Sequence, residues 1–275
     1  MKKSKLILSL AVSGLVLGSG ATSAFAATTS TTTEGTIDFT EGTGTGVVIK
    51  PETDNEVDPE TGGNTTGPLR IQHVPDFAFG TQELEIGKQT FNPTLETYKY
   101  KDASLQPGAV AGQSYAIPHF IQVSDARGTN TGWNLTASAT QFTTKKTGDV
   151  MPNATITLGQ SKLSNTVYDD ATIAQKMKTF VGNNNAGSGK LTIPTSGGSS
   201  LVMQTMTDAK ADTTNGTQTS IVLNDAYDKD KLDYNFTDRN VGVQFTKTNT
   251  DSAIVSSDAD NFYESVITWT LADGI

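Results

Sequence analysis

Trp133-Asn134-Leu135-Thr136-Ala137-Ser138-Ala139 alternates without a break, with Trp133, Leu135, Ala137 and Ala139 on one side and Asn134, Thr136 and Ser138 on the other. A period of two belongs to a β-strand, whose successive side chains point to opposite faces. The same grammar returns near the end of the chain. Ile267, Trp269 and Leu271 share one face there, while Val266, Thr268 and Thr270 share the other. Trp133 and Trp269 are the only two tryptophans, and each is followed two residues later by a leucine on its own side.

Outward from this pair the pattern stays β. Leu69 to His73, Phe77 to Phe79, Ala154 to Leu158, Val241 to Phe245 and Ser265 to Leu271 are short β-like runs separated by Gly, Asn, Asp and Ser, the layout of a sandwich or barrel. Phe120-Ile121-Gln122-Val123-Ser124 places Ile121 and Val123 on one face. The Gly- and Asn-rich stretch from Asp125 to Gly132 suits a hairpin loop between this strand and the one at Trp133. One helix is expected, capped by Asp169 or Asp170 and carrying Ile173, Met177, Phe180 and Val181 at helical spacing, with Gly182 as its stop. Asn183 to Asp238 is polar and rich in Gly, Thr and Asp, which predicts long loops with a few weak strands.

The N-terminus has the composition of an export signal. Lys2, Lys3 and Lys5 precede an apolar run from Leu6 to Leu17, and Ala24-Phe25-Ala26 ends it with small residues. The run is shorter than the roughly 20 apolar residues of a membrane span, so cleavage after Ala26 is expected, with no transmembrane segment in the mature chain. Residues 27–68 are biased toward Thr, Gly, Pro and acids and read as a low-complexity acidic segment and linker. Within them Thr36-Ile37-Asp38-Phe39 and Val47-Val48-Ile49 are β-like islands, and one of them could add a strand to the domain at 69–275. The stretch from Pro51 to Pro68 looks like plain linker.

The chain carries 20 basic and 29 acidic residues. Cleavage removes three lysines and no acid, leaving 17 against 29 and a balance of −12. That acidity argues against nucleic acid, which requires a basic footprint, and against a simple electrostatic grip on anionic polymers. There is no cysteine. Disulfides and a lipid-modified cysteine are thereby excluded, and stability must come from a core. No Leu-Pro-x-Thr-Gly sorting motif precedes Ile275, so covalent anchoring is not expected, and if the protein stays on the cell it is expected to do so non-covalently.

Catalysis finds little support. Cysteine nucleophiles and Gly-x-Ser-x-Gly are absent, and His73 and His119, the only histidines, form no zinc-type pair and lie beside prolines. A glycosidase needs two carboxylates across a cleft, and no aromatic-rich segment is present to line one. Asp225, Asp228, Asp230 and Asp233 do not make a calcium loop, because Arg239 stands where the closing glutamate belongs. No catalytic residue, cofactor or metal site is assigned.

The ordered set of motifs resembles the WxL-domain surface proteins of low-GC Gram-positive bacteria. Signal, acidic linker, Gly67-Pro68-Leu69-Arg70-Ile71, Phe77-Ala78-Phe79-Gly80, Ile121 to Gly128, Trp133-Asn134-Leu135 and Ile267-Thr268-Trp269-Thr270-Leu271 follow in order. They cover nearly all of Leu69 to Ile275, although 183–260 is longer than the family pattern. The resemblance implies an all-β, immunoglobulin-like sandwich with one short helix and non-covalent binding to peptidoglycan at the cell surface. It also implies partners, namely a membrane-tethered WxL-interacting protein and sortase-anchored surface proteins. An adhesin for host matrix protein or glycan, and more remotely a secreted wall hydrolase, are the alternatives.

Trp133, Leu135, Trp269 and Leu271 are the motif residues, either structural or wall-binding. Their alternation favours the core first, since a buried tryptophan removes about 150–250 Å² from water. Asp125 and Arg127 flank Ala126 as a bidentate pair, which either contacts a ligand or braces the loop as an exposed ion pair.

Overall fold

The computed structural model describes residues 35–42, 46–181, 189–206, 213–235 and 240–275, and residues 39–275 form one compact unit. The expected signal at 1–26 lies outside the described residues. In chain order the strands are β1 (Val48–Ile49), β2 (Glu56–Pro59), β3 (Leu69–His73), β4 (Gln89–Phe91), β5 (Glu96–Tyr100), β6 (Ser114–Ile117), β7 (Phe120–Asp125) and β8 (Trp133–Ala139). They continue as β9 (Phe142–Thr144), β10 (Val150–Met151), β11 (Thr155–Gly159), β12 (Lys162–Asn165), β13 (Met177–Thr179), β14 (Lys190–Ile193), β15 (Ser200–Thr205), β16 (Thr217–Val222), β17 (Val243–Lys247), β18 (Tyr263–Glu264) and β19 (Ile267–Asp273). Among the described residues a single α-helix, α1 (Asp170–Lys176), interrupts them. The protein is all-β with one short helix, as the alternation predicts.

Every strand pairing is antiparallel. The sheets run β1-β2-β5-β6, β12-β16-β7-β3, β14-β11-β17-β4, β13-β15-β8-β19 and β10-β9-β18. Ile121 and Val123 of β7 join Trp133, Leu135, Ile156, Leu158, Val243 and Met203 in the main core. Phe120, the neighbour of Ile121, instead enters a second cluster with Tyr98, Tyr100, Tyr115, Tyr227 and Tyr234. Strand β7 is therefore buried on both faces, and all six of its residues are inaccessible.

Part of that second cover, Val57, comes from the stretch expected to be linker. β2 pairs with β5, and β1 pairs with β2. Thr36 to Phe39 carries no strand, so the island at Val47–Ile49 is the one that enters the sheets. A side chain makes the docking work. The Gln122 carboxamide accepts from Ile49 N (3.1 Å) and donates to Ile49 O (2.9 Å), standing in for the backbone of a neighbouring strand. Next along the chain, Lys50 is fully buried. Its ammonium donates to Gln106 Oε1 (2.6 Å), Lys229 O (2.8 Å), Lys231 O (3.1 Å) and Tyr100 Oη (3.1 Å). A buried cation with four acceptors is compensated, although burial still lowers its pKa to about 8.

Other expectations change as well. The segment from Asp125 to Gly132 is not a hairpin loop, because β7 and β8 lie in different sheets, and it carries the chain from one sheet to the other. The helix is capped by Asp169, which accepts from Thr172 N at 2.8 Å, but it ends at Lys176. Met177 to Thr179 switches to period two and pairs with β15, so Met177 and Thr179 are buried as strand residues. Phe77 to Phe79 belongs to no strand. The polar region after 183 supplies β14, β15 and β16, and β15 and β16 occupy interior positions of their sheets.

Candidate functional site

The two Trp-x-Leu motifs are brought side by side. β19 runs antiparallel to β8 with Leu271 opposite Leu135, Trp269 opposite Ala137 and Asp273 opposite Trp133. Opposed residues of an antiparallel pair project to the same face, so both motifs look inward. Their fates differ. Trp133 is 0% exposed, and its indole Nε1 donates to Thr214 Oγ1 at 2.8 Å, which satisfies the one polar atom that burial would orphan. Trp269 and Leu271 sit on the edge strand and are only half-buried. The core position expected for both tryptophans holds at Trp133 and only in part at Trp269.

Trp269 borders a groove of about 1230 Å³. Phe245 of β17 is the hub of its floor, with ring centroids 4.8 Å from Phe142, 5.5 Å from Phe79 and 6.3 Å from Phe91. Phe262 and Tyr263 line one wall. Tyr263 Oη fixes that wall by accepting from Ile254 N at 3.1 Å. These aromatics are scattered from 79 to 269 in the sequence, so no local segment announces them, although Phe79 lies in the aromatic-Gly motif. Among the described residues no aromatic-rich segment lines the groove, and its aromatics come instead from separate stretches of the chain. The β fold gathers side chains that the sequence disperses.

The groove's charged rim is mainly acidic, with Asp76, Glu83, Asp258 and Glu264 against Lys247. Lys146 lies 2.6 Å from Asp258 and holds its carboxyl below the usual range, and Lys145 lies 3.4 Å from Glu264. Lys247 donates to Gly87 O at 2.6 Å. Among the described residues no ion pair engages Asp76 or Glu83. An apolar aromatic floor with a few polar groups at the rim is the form of a ligand cleft.

Asp125 and Arg127 lie elsewhere and are not exposed. Both are buried, with Arg127 Nε at 2.9 Å from Asp125 Oδ1 and Nη2 at 2.8 Å from Asp125 Oδ2. The guanidinium also donates to Thr131 Oγ1 (3.0 Å), Thr131 O (2.8 Å) and the carboxylate of Asp273. Its donors are thus spent inside the fold, bracing the 125–132 crossover and tying it to the end of β19. The Asp125 hydrogen bonds raise the guanidinium pKa further.

The histidines are equally internal. His73 Nε2 lies 2.5 Å from Glu96 Oε1, and burial pushes the Glu96 carboxyl upward. His119 Nδ1 lies 2.6 Å from Asn240 Nδ2, and burial depresses its imidazole to about 3. Neither histidine lines the groove.

A family model described as WxL domain, surface, cell wall-binding matches residues 26–274. No curated protein and no solved structure matches the chain. The match spans both Trp-x-Leu strands, the docked N-terminal strands and the residues that line the groove. The chain belongs to the WxL-domain family of cell-wall-binding surface proteins.

Proposed function

We propose that the chain is held non-covalently on peptidoglycan through the groove beside Trp269, as a non-enzymatic component of a surface complex. The observation that carries this is the half-open indole of Trp269 over a floor of Phe79, Phe91, Phe142 and Phe245. Aromatic faces in a cleft take the apolar faces of sugar rings or apolar peptide groups, while the polar rim orients them. An acidic protein gains nothing from electrostatic attraction to anionic wall polymers, so this contact must come from stacking and hydrogen bonds. In this reading a membrane-tethered protein and sortase-anchored proteins complete the complex, at the cell surface.

Purified protein mixed with protein-free peptidoglycan sacculi tests this. Co-sedimentation without release of reducing sugar is the expected result. Protein left in the supernatant would count against wall attachment and favour an adhesin for host matrix. Released sugar would show a hydrolase.

A further inference from the structure

β19 is the longest edge strand in the described protein, and its outer edge is bare. Gly274 N donates to Gly132 O and Thr140 N donates to Val266 O, which fixes the phase of the ladder. Residues 268, 270 and 272 therefore turn their backbone groups toward β8, and Ile267, Trp269 and Leu271 turn theirs outward. Among the described residues no hydrogen bond reaches those outward groups. The neighbouring edge strand β3 is treated differently. Thr65 N donates to Ile71 O (2.9 Å) and Thr65 Oγ1 accepts from Ile71 N (3.0 Å), so that edge is covered.

Proteins usually blunt a free edge with lysine, proline, a bulge or a covering loop. Ile267-Thr268-Trp269-Thr270-Leu271 has none of these and pairs with β8 without a register shift. Beside it lies an exposed apolar patch on the groove wall: Leu84, Ile254, Val255, Phe262 and Val266. An exposed apolar patch of this kind marks an interaction surface. The rim is acidic, and Asp76 and Glu83 lack cationic partners among the described residues. The chain itself carries −9, so a second copy brings the wrong charge.

We infer that β19 accepts an extended strand from another protein, one whose groove-facing residues, every second position along it, are apolar and basic in turn. Its backbone would bond the outward groups of Ile267, Trp269 and Leu271, in the manner of β-augmentation. Its apolar side chains would enter the groove mouth beside Trp269, and its basic ones would meet Asp76 and Glu83. The strand would share the groove mouth with the proposed wall ligand, but its backbone pairing to β19 is read by amide exchange without wall present, so the two readings can fail separately.

Residue-resolved amide hydrogen exchange on the full mature chain is the test, with a peptide as long as β19 (7 residues) as the probe, its odd-numbered positions valine and lysine in turn and threonine between them. In the free protein the amides of Ile267, Trp269 and Leu271 exchange freely, while those of Thr268 and Thr270 are protected. At about 1 mM peptide the three outward amides slow by about tenfold or more. The same peptide methylated at every backbone nitrogen has no effect, and one with glutamate in place of lysine has much less. Outward amides already protected in a monomeric chain would overturn the inference, as would no slowing or equal slowing by the methylated peptide. Equal slowing by the acidic peptide would overturn its basic character. Sedimentation showing a dimer that protects these amides would replace the foreign strand with a second copy.

Discussion

Leu271 lies directly across from Leu135, so motifs 136 residues apart in sequence share one face of one sheet. The same pairing places Trp133 in the sealed interior and leaves Trp269 at the edge. Two segments with one grammar thus do different physical work. The first builds the core, and the second borders the groove.

Trp133→Ala should cost about 3–5 kcal/mol, the range for removing a buried aromatic, because it leaves a cavity and orphans the Thr214 hydroxyl. Denaturant unfolding measures this. A loss below about 1 kcal/mol would contradict the core assignment.

Breaking the buried pair by Asp125→Ala should cost about 3–5 kcal/mol, since it strands the Arg127 guanidinium. Asp273→Ala, whose carboxylate is largely exposed, should cost no more than about 1 kcal/mol. Equal losses in the two variants would show that the crossover is braced in some other way.

The domain should begin before Leu69. A chain starting at Gly46 keeps the Gln122–Ile49 bonds and the Lys50 plug, and one starting at Leu69 loses both. Uncovering Gln122 and the tyrosine cluster should lower stability by about 3 kcal/mol or more. The unfolding midpoints of the two truncations decide it, and equal midpoints would return 46–68 to the role of linker.

His119 should weaken the fold in acid. Its folded-state pKa, depressed by burial to about 3, lies below the unfolded value of 6.5, so the unfolded chain binds the proton first. Stability from this group is complete above pH 6.5 and is lost as pH falls toward 3, at about 1.4 kcal/mol per pH unit. Glu96, whose carboxyl is raised, works in the opposite direction above pH 4.5. Comparing His119→Asn with the parent isolates the histidine. The parent should lose about 2 kcal/mol more than the variant between pH 7.5 and pH 5, and parallel losses would contradict the buried neutral imidazole.

Strand β8 was legible to the residue because one of its faces is apolar and the other polar. β16 was hidden by its chemistry. Thr217, Thr219 and Ser220 are buried, and their hydroxyls accept from Asn165 and Gln122 rather than packing as hydrocarbon. Such a strand leaves no apolar alternation to read. β2 was obscured for a related reason, since Val57 is the one apolar side chain among Glu56, Asp58 and Pro59. Met177 illustrates the converse, because its spacing from Ile173 fits a helix while its burial belongs to a strand that pairs with β15. The groove could not be read locally at all, as its aromatics meet only through strands distant in sequence. Its legible members were Trp269 and the Phe77-Ala78-Phe79-Gly80 motif.

Sacculi co-sedimentation of the parent beside Trp269→Ala, with unfolding midpoints measured in parallel, tests the central claim most directly. The account predicts that Trp269→Ala stays folded, loses less stability than Trp133→Ala, and binds the wall about tenfold or more weakly, a loss of about 1.4 kcal/mol or more. A folded Trp269→Ala protein that sediments as fully as the parent would contradict it.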